Sequence, residues 1–147
     1  MNRPGRRLTG PGRDRGTVAM FTTIFALFVM VLAGLLVDGG LAIHARQRAA
    51  DIAEQGARAA ADDVDVAYLR RTGGARIANA DTACLRARRL AATYREVTGP
   101  VGCTVDGAQT VHVTVQIKVR LQLLGIVPGF NDFTMTSAAS AHPQEGI

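Results

Sequence analysis

The sequence predicts an α+β fold: an N-terminal transmembrane helix running on into an Ala-rich exported helix, then a second helix and a three-stranded antiparallel sheet. Three observations predict it. Residues 17–37 carry no charged side chain. Residues 41–61 are built from Ala, Arg, Gln and Glu, which favour helix. Residues 110–123 alternate polar and apolar in strict period two, which no helix face produces.

The uncharged run TVAMFTTIFALFVMVLAGLLV would extend about 31 Å as a helix, close to a bilayer core of about 30 Å. Arg3, Arg6, Arg7, Arg13 and Arg15 precede it and Asp38 closes it. Cationic flanks stay cytoplasmic, so residues 1–16 form a basic cytoplasmic leader and residues 38–147 an exported α+β domain. A cleaved secretory signal fits less well, because the run is longer than an ordinary h-region and no A-x-A site follows it. The net charge is +5, and residues 1–16 supply +4 of it. The rest of the chain is nearly neutral, which argues against a nucleic-acid partner. With 48% hydrophobic residues, the chain is too apolar to be disordered throughout.

In residues 41–61, Leu41, Ala45, Ala49, Ile52, Ala53 and Ala60 form a small-residue stripe, while Arg46, Arg48, Asp51, Glu54 and Arg58 face elsewhere. Together with Ala26, Ala33 and Gly34 of the membrane helix, the stripe suits contact with partner helices. Gly39-Gly40 either bends the junction or lies within one long helix. Residues 62–79 read as a loop around Gly73-Gly74, with Asp62, Asp63 and Asp65 solvated.

Asp81 is a candidate N-cap for the second helix, which is expected to run to about Val97 with Cys84, Ala87, Leu90, Ala91, Tyr94 and Val97 on one face. Gly99-Pro100 follows it. A short strand over 101–106 leads into a hairpin turn at Asp106-Gly107. The long second strand carries Val111, Val113, Val115, Ile117, Val119, Leu121 and Leu123 on its dry side. Leu124 to Asp132 reads as a loop. Phe133, Met135, Ser137, Ala139 and Ala141 mark a third strand. The two helices beyond the membrane are the available cover for the sheet's buried face.

Cys84 and Cys103 fall on the second helix and the first strand. In an exported domain a bridge between them is favoured over two free thiols. Closing that loop corresponds to about 3 kcal/mol in the chain-entropy model. His44, His112 and His142 are widely separated and no C-x-x-C or H-x-x-x-H occurs, so no metal is expected. There is no G-x-S-x-G, P-loop or H-E-x-x-H, and neither an enzyme, a cofactor nor a small-molecule substrate is expected. Arg70, Arg71, Arg86, Arg88 and Arg89 read as a solvated face rather than a docking patch.

From Arg13 to Ala61 the sequence resembles the TadE/TadG-like proteins of Flp (tight-adherence) pilus assembly, in their short actinobacterial form. The residues that carry this are Arg15-Gly16 before the apolar helix, then Gly34, Leu35, Val37, Asp38, Gly39 and Gly40 at its end. Ala45, Arg46, Gln47, Arg48, Ala49, Ala50 and Asp51 follow. The resemblance implies a pilin-like or pseudopilin-like membrane-anchored accessory protein acting by packing. Its partners would be the lipid bilayer, other Tad membrane proteins and pilins. It also implies a candidate prepilin-peptidase cut between Gly16 and Thr17. Pilins carry a glutamate five residues after the cut, where this chain has Phe21, and that departure weighs against processing. The alternative is a membrane-tethered module binding an envelope ligand or another exported protein through the outer face of residues 110–122 and the basic helix.

Overall fold

The computed structural model describes residues 14–123, 125 and 132–144, with backbone alone at residues 14 and 15. Three helices precede three strands: α1 (Asp14–Ala61), α2 (Val66–Thr72), α3 (Ala80–Ala91), β1 (Gly102–Asp106), β2 (Thr110–Arg120) and β3 (Asp132–Ala141). The fold is α+β, as the patterning predicts.

Helix α1 is a single rod of 48 residues, about 72 Å long. Gly39 and Gly40 do not end it. Its two halves meet different surroundings. From Val18 to Val37 its large apolar side chains are exposed, and the helix is a candidate membrane span. From Ala49 onward it is the spine of a folded domain: Ala49, Ile52, Ala53, Ala57, Ala60 and Ala61 are buried. The side chains of Arg46, Arg48, Asp51, Glu54 and Arg58 point away from that core. Glu54 and Arg58 form the ion pair their four-residue spacing favours.

The sheet has the order β1-β2-β3, antiparallel throughout. Central β2 turns Val111, Val113, Val115, Ile117 and Val119 inward. The register places Val111 beside Ala141, Val113 beside Ala139, Val115 beside Ser137, Ile117 beside Met135 and Val119 beside Phe133. Paired residues share a face, so this row makes one continuous inner surface. Helix α1 crosses that surface over β2 and β3, and α3 packs on α1 and β1. Small residues set the spacing: a Cβ on Gly56 would lie 3.4 Å from Val113 Cγ1 and 3.8 Å from Ala87 Cβ. A disulfide between Cys84 and Cys103, with Cα atoms 5.6 Å apart, ties α3 to β1.

The structure corrects several boundaries. Residues 62–79 contain a helix, α2, where a loop is expected. Asp65 caps it by accepting from the Tyr68 N–H at 2.9 Å, and Gly73 ends it at φ 74° with its N–H on Leu69 O. Helix α3 is capped by Asn79, not Asp81. Asn79 Oδ1 accepts from the N–H groups of Asp81 at 2.8 Å and Thr82 at 3.3 Å.

Helix α3 stops at Ala91 rather than near Val97. The hydroxyl of Thr93 donates to Leu90 O, and the Tyr94 N–H reaches Ala91 O, which tightens the last turn. Tyr94 then swings onto α1, where its hydroxyl donates to Gln55 Oε1 at 2.7 Å. Arg48 lies over its ring, 5.4 Å from the centroid. The turn after β1 is centred one residue later than Asp106-Gly107. Gly107 and Ala108 both have positive φ, 57° and 58°, and Gln109 N–H bonds to Asp106 O. Asp132, expected in the loop, opens β3 and pairs with Lys118. The rest of that loop reading, apart from Gly125, lies outside the described residues.

Candidate functional site: the helix–sheet junction at Asp38

The alternation of β2 continues to Leu123 in the sequence, yet the strand ends at Arg120. The reason lies on α1. Asp38 is 2% exposed. Its Oδ1 accepts from the Gln122 N–H at 2.9 Å and from the Leu123 N–H at 3.3 Å, and its Oδ2 accepts from Leu123 at 3.2 Å. These bonds draw the chain out of the ladder and onto the helix. One turn earlier, buried Gly34 makes room for Leu123: a Cβ there would sit 3.4 Å from Leu123 Cβ. Residues 34 and 38 are four apart, so the small seat and the carboxylate share one face. The carboxylate is acceptor-only, which suits the two peptide N–H groups leaving the sheet.

The remaining residues singled out by sequence divide between core and surface. Val37 is exposed, and Gly39 and Gly40 are half-buried with open space around them. Ala45 packs partly on the core, Ala49 lies fully within it, and Ala50 is half-buried. Arg46 and Asp51 are exposed. Arg48 donates from Nε to Glu96 Oε1 at 2.6 Å, and this bond holds its guanidinium above its ordinary pKa. Gly16 and Thr17 lie within α1 and are exposed. Arg3, Arg6, Arg7 and Arg13 lie outside the described residues, as does the side chain of Arg15.

Two expectations about contact surfaces change. The Ala stripe from Ala49 to Ala61 is consumed by this chain's own sheet and α3, and Gly34 is covered by Leu123. Neither is open to a partner helix. Ala26 and Ala33 remain exposed.

Two of the three acidic residues are committed rather than merely solvated, while Asp62 is exposed. Arg86 Nη2 lies 2.9 Å from Asp63 Oδ1, and Thr82 donates to the same carboxylate. Arg76 donates to Asp65 Oδ2 at 2.7 Å while Asp65 caps α2. The Tyr68 N–H first, and Arg76 second, hold the Asp65 carboxyl below the usual range. Among the described residues no three His, Cys, Asp or Glu side chains gather as a metal site would require. A shallow hollow lined by Ala75, Gln109, His142 and Pro143 has no catalytic set around it among the described residues.

The Asp38 role escapes sequence reasoning because its partners stand 84 and 85 residues away. A signal was nonetheless present: an acidic residue ending an apolar run, one turn after a glycine.

Residues 16–63 match the family model described as "Putative Flp pilus-assembly TadE/G-like". The match covers α1 almost to its first turn and stops two residues past its end, so it includes Gly34 and Asp38 but not the strand end they hold. No curated protein and no solved structure matches the chain.

Proposed function

We propose that this chain is a membrane-anchored accessory protein, minor-pilin or pseudopilin-like, of a Flp-type pilus assembly or secretion apparatus. The observation that carries the reading is the division of α1 within the matched segment. Its first half is apolar and unburied, and its second half is the spine of an α+β domain. The arginine-rich residues 1–16 keep that end cytoplasmic, the helix crosses the bilayer, and residues 38–147 stand outside. An oxidised Cys84–Cys103 pair suits that compartment.

The action is packing and protein–protein contact, not catalysis. Partner helices of the apparatus and pilins meet the exposed membrane half of α1, with Ala26 and Ala33 allowing close approach. The leader is retained: Phe21 stands where a pilin glutamate would, so the chain is a permanent anchor rather than a filament subunit.

Deletion of the gene, complemented by wild type or by A26L/A33L, tests this. Surface fibres are expected to vanish on deletion, to return with wild type and not with A26L/A33L. Intact fibres in the deletion strain, with an envelope-ligand interaction lost, would instead support the tethered binding module. Intact mass of the extracted protein reports the leader: a mass starting at Met1 is expected, and one starting at Thr17 would make the chain a processed pilin.

A further inference from the structure

We propose that the end of β2 is a second membrane contact, with Leu123 seated in the interfacial layer of the same bilayer that α1 crosses. The proposal rests on the reading of residues 17–37 as a membrane span. Leu123 packs on Gly34, three residues before the uncharged run ends. At 1.5 Å per residue, Gly34 lies about 4.5 Å below the end of that run. An element touching the helix there is therefore at the depth where interfacial segments bury their apolar side chains, about 5–10 Å into the boundary.

The chemistry of the strand end fits that depth. Leu123 is 46% exposed despite its contact with the helix, so much of its side chain meets whatever surrounds α1 at that level. Leu35 and Leu36, which follow Gly34 in the helix, are 57% and 80% exposed. Leu121, Gln122 and Leu123 carry no charge. Backbone groups near hydrocarbon need internal partners. The N–H groups of Gln122 and Leu123 have them in Asp38. The same bonds cover the carboxylate, which would otherwise face lipid as an exposed charge at the helix end. The domain thus has two points on the membrane, the rod and the strand end, and its tilt over the surface is fixed.

The chain has no Trp, so single-Trp reporters read one position each. Leu123→Trp, Phe25→Trp and Thr104→Trp are made in the full chain and reconstituted in phosphatidylcholine vesicles containing brominated acyl chains. Phe25→Trp monitors the span, and Thr104→Trp the exposed far strand. Gln122→Trp reports the same depth while leaving the Leu123–Gly34 contact intact.

Expected is quenching of Phe25→Trp by deep bromines, and of Leu123→Trp and Gln122→Trp by shallow ones. The two strand-end reporters should show a blue-shifted emission and severalfold weaker iodide quenching than Thr104→Trp. Iodide quenching of both strand-end reporters equal to that of Thr104→Trp, with Phe25→Trp still lipid-quenched, overturns this inference and leaves the span standing. Loss of lipid quenching at Phe25→Trp overturns the span itself.

Discussion

The Leu123 N–H donates to both carboxylate oxygens of Asp38, 85 residues earlier in the chain. With the Gln122 bond, this is the link that holds the sheet to the rod at the level where the apolar half of α1 ends. Replacing Asp38 by Ala removes an acceptor from two peptide groups that have left the β-ladder. Hydrogen bonds to a charged group contribute about 1.5–3 kcal/mol each, and part of that is recovered by water. Asp38→Ala is expected to destabilise the full chain by about 2–3 kcal/mol. Asp38→Asn, which keeps one acceptor oxygen, should lose about half as much. Denaturant unfolding in detergent micelles, followed by circular dichroism, measures both. Equal stability of Asp38→Ala and wild type would mean the junction contributes nothing.

The Cys84–Cys103 bond closes a loop that includes the end of α3 and the turn after it. Those segments contribute few large apolar side chains, since the buried positions of α3 are Ala83, Cys84, Ala87 and Ala91. Cys84→Ser with Cys103→Ser should therefore cost about 3 kcal/mol, as should reduction of the wild type. Thermal unfolding with and without reductant checks it. Reductant should leave the double variant unchanged.

Much of this fold is legible because its signals are periodic. The uncharged run, the Ala stripe and the strict alternation of β2 are each long enough to override local exceptions. Helix α2 escaped because seven residues are too short for periodicity, although Asp65 at its start and Gly73 past its end are cap residues. The overrun of α3 has a tertiary cause: Tyr94 keeps the helical spacing but is claimed by Gln55 and Arg48 of α1. The overrun of β2 is of the same kind, with Leu121 and Leu123 in phase but the backbone taken by Asp38. At the junction, Gly34 and Asp38 were visible as residues of the family pattern. What they hold was not, because nothing in their own segment encodes the strand end.

Ala108 is the one non-glycine residue with positive φ among the described residues, at 58°. An alanine there costs about 1–2 kcal/mol relative to the right-handed region. Ala108→Gly relieves that strain but loosens the unfolded chain by about 0.4–1 kcal/mol. The two effects leave a net gain of about 0.5–1 kcal/mol, expected as a rise in Tm of a few degrees. A fall in Tm would show that the turn is held by contacts of the Ala108 methyl rather than by its backbone.

Acid should weaken the α2 corner. In the folded state the Asp65 carboxyl is held below its ordinary pKa, chiefly by the Tyr68 N–H and then by Arg76. The ionised form is the one the fold favours. Its contribution is full above the unfolded-state value, about 3.9, and is lost as pH falls through the lower folded value. Asp65→Asn should flatten the stability profile below about pH 4 while shifting it little in slope above. The Arg48 guanidinium beside Glu96 adds no such dependence, because it stays protonated throughout. Thermal melts from pH 2 to pH 7 on both proteins separate the two; parallel acid limbs would sink the assignment.

Gly39 and Gly40 bear on how the rod works. Both are helical, and a Cβ on either would meet nothing within 4 Å. In a helix interior each glycine costs about 0.5–1 kcal/mol relative to alanine. Gly39→Ala with Gly40→Ala should then stabilise the chain by about 1–2 kcal/mol. If α1 acts as one rigid strut between membrane and domain, the double variant should also still support fibre assembly in a complemented deletion strain. A more stable protein that no longer supports fibres would show that the junction must bend, or must admit a partner's backbone, for the apparatus to assemble.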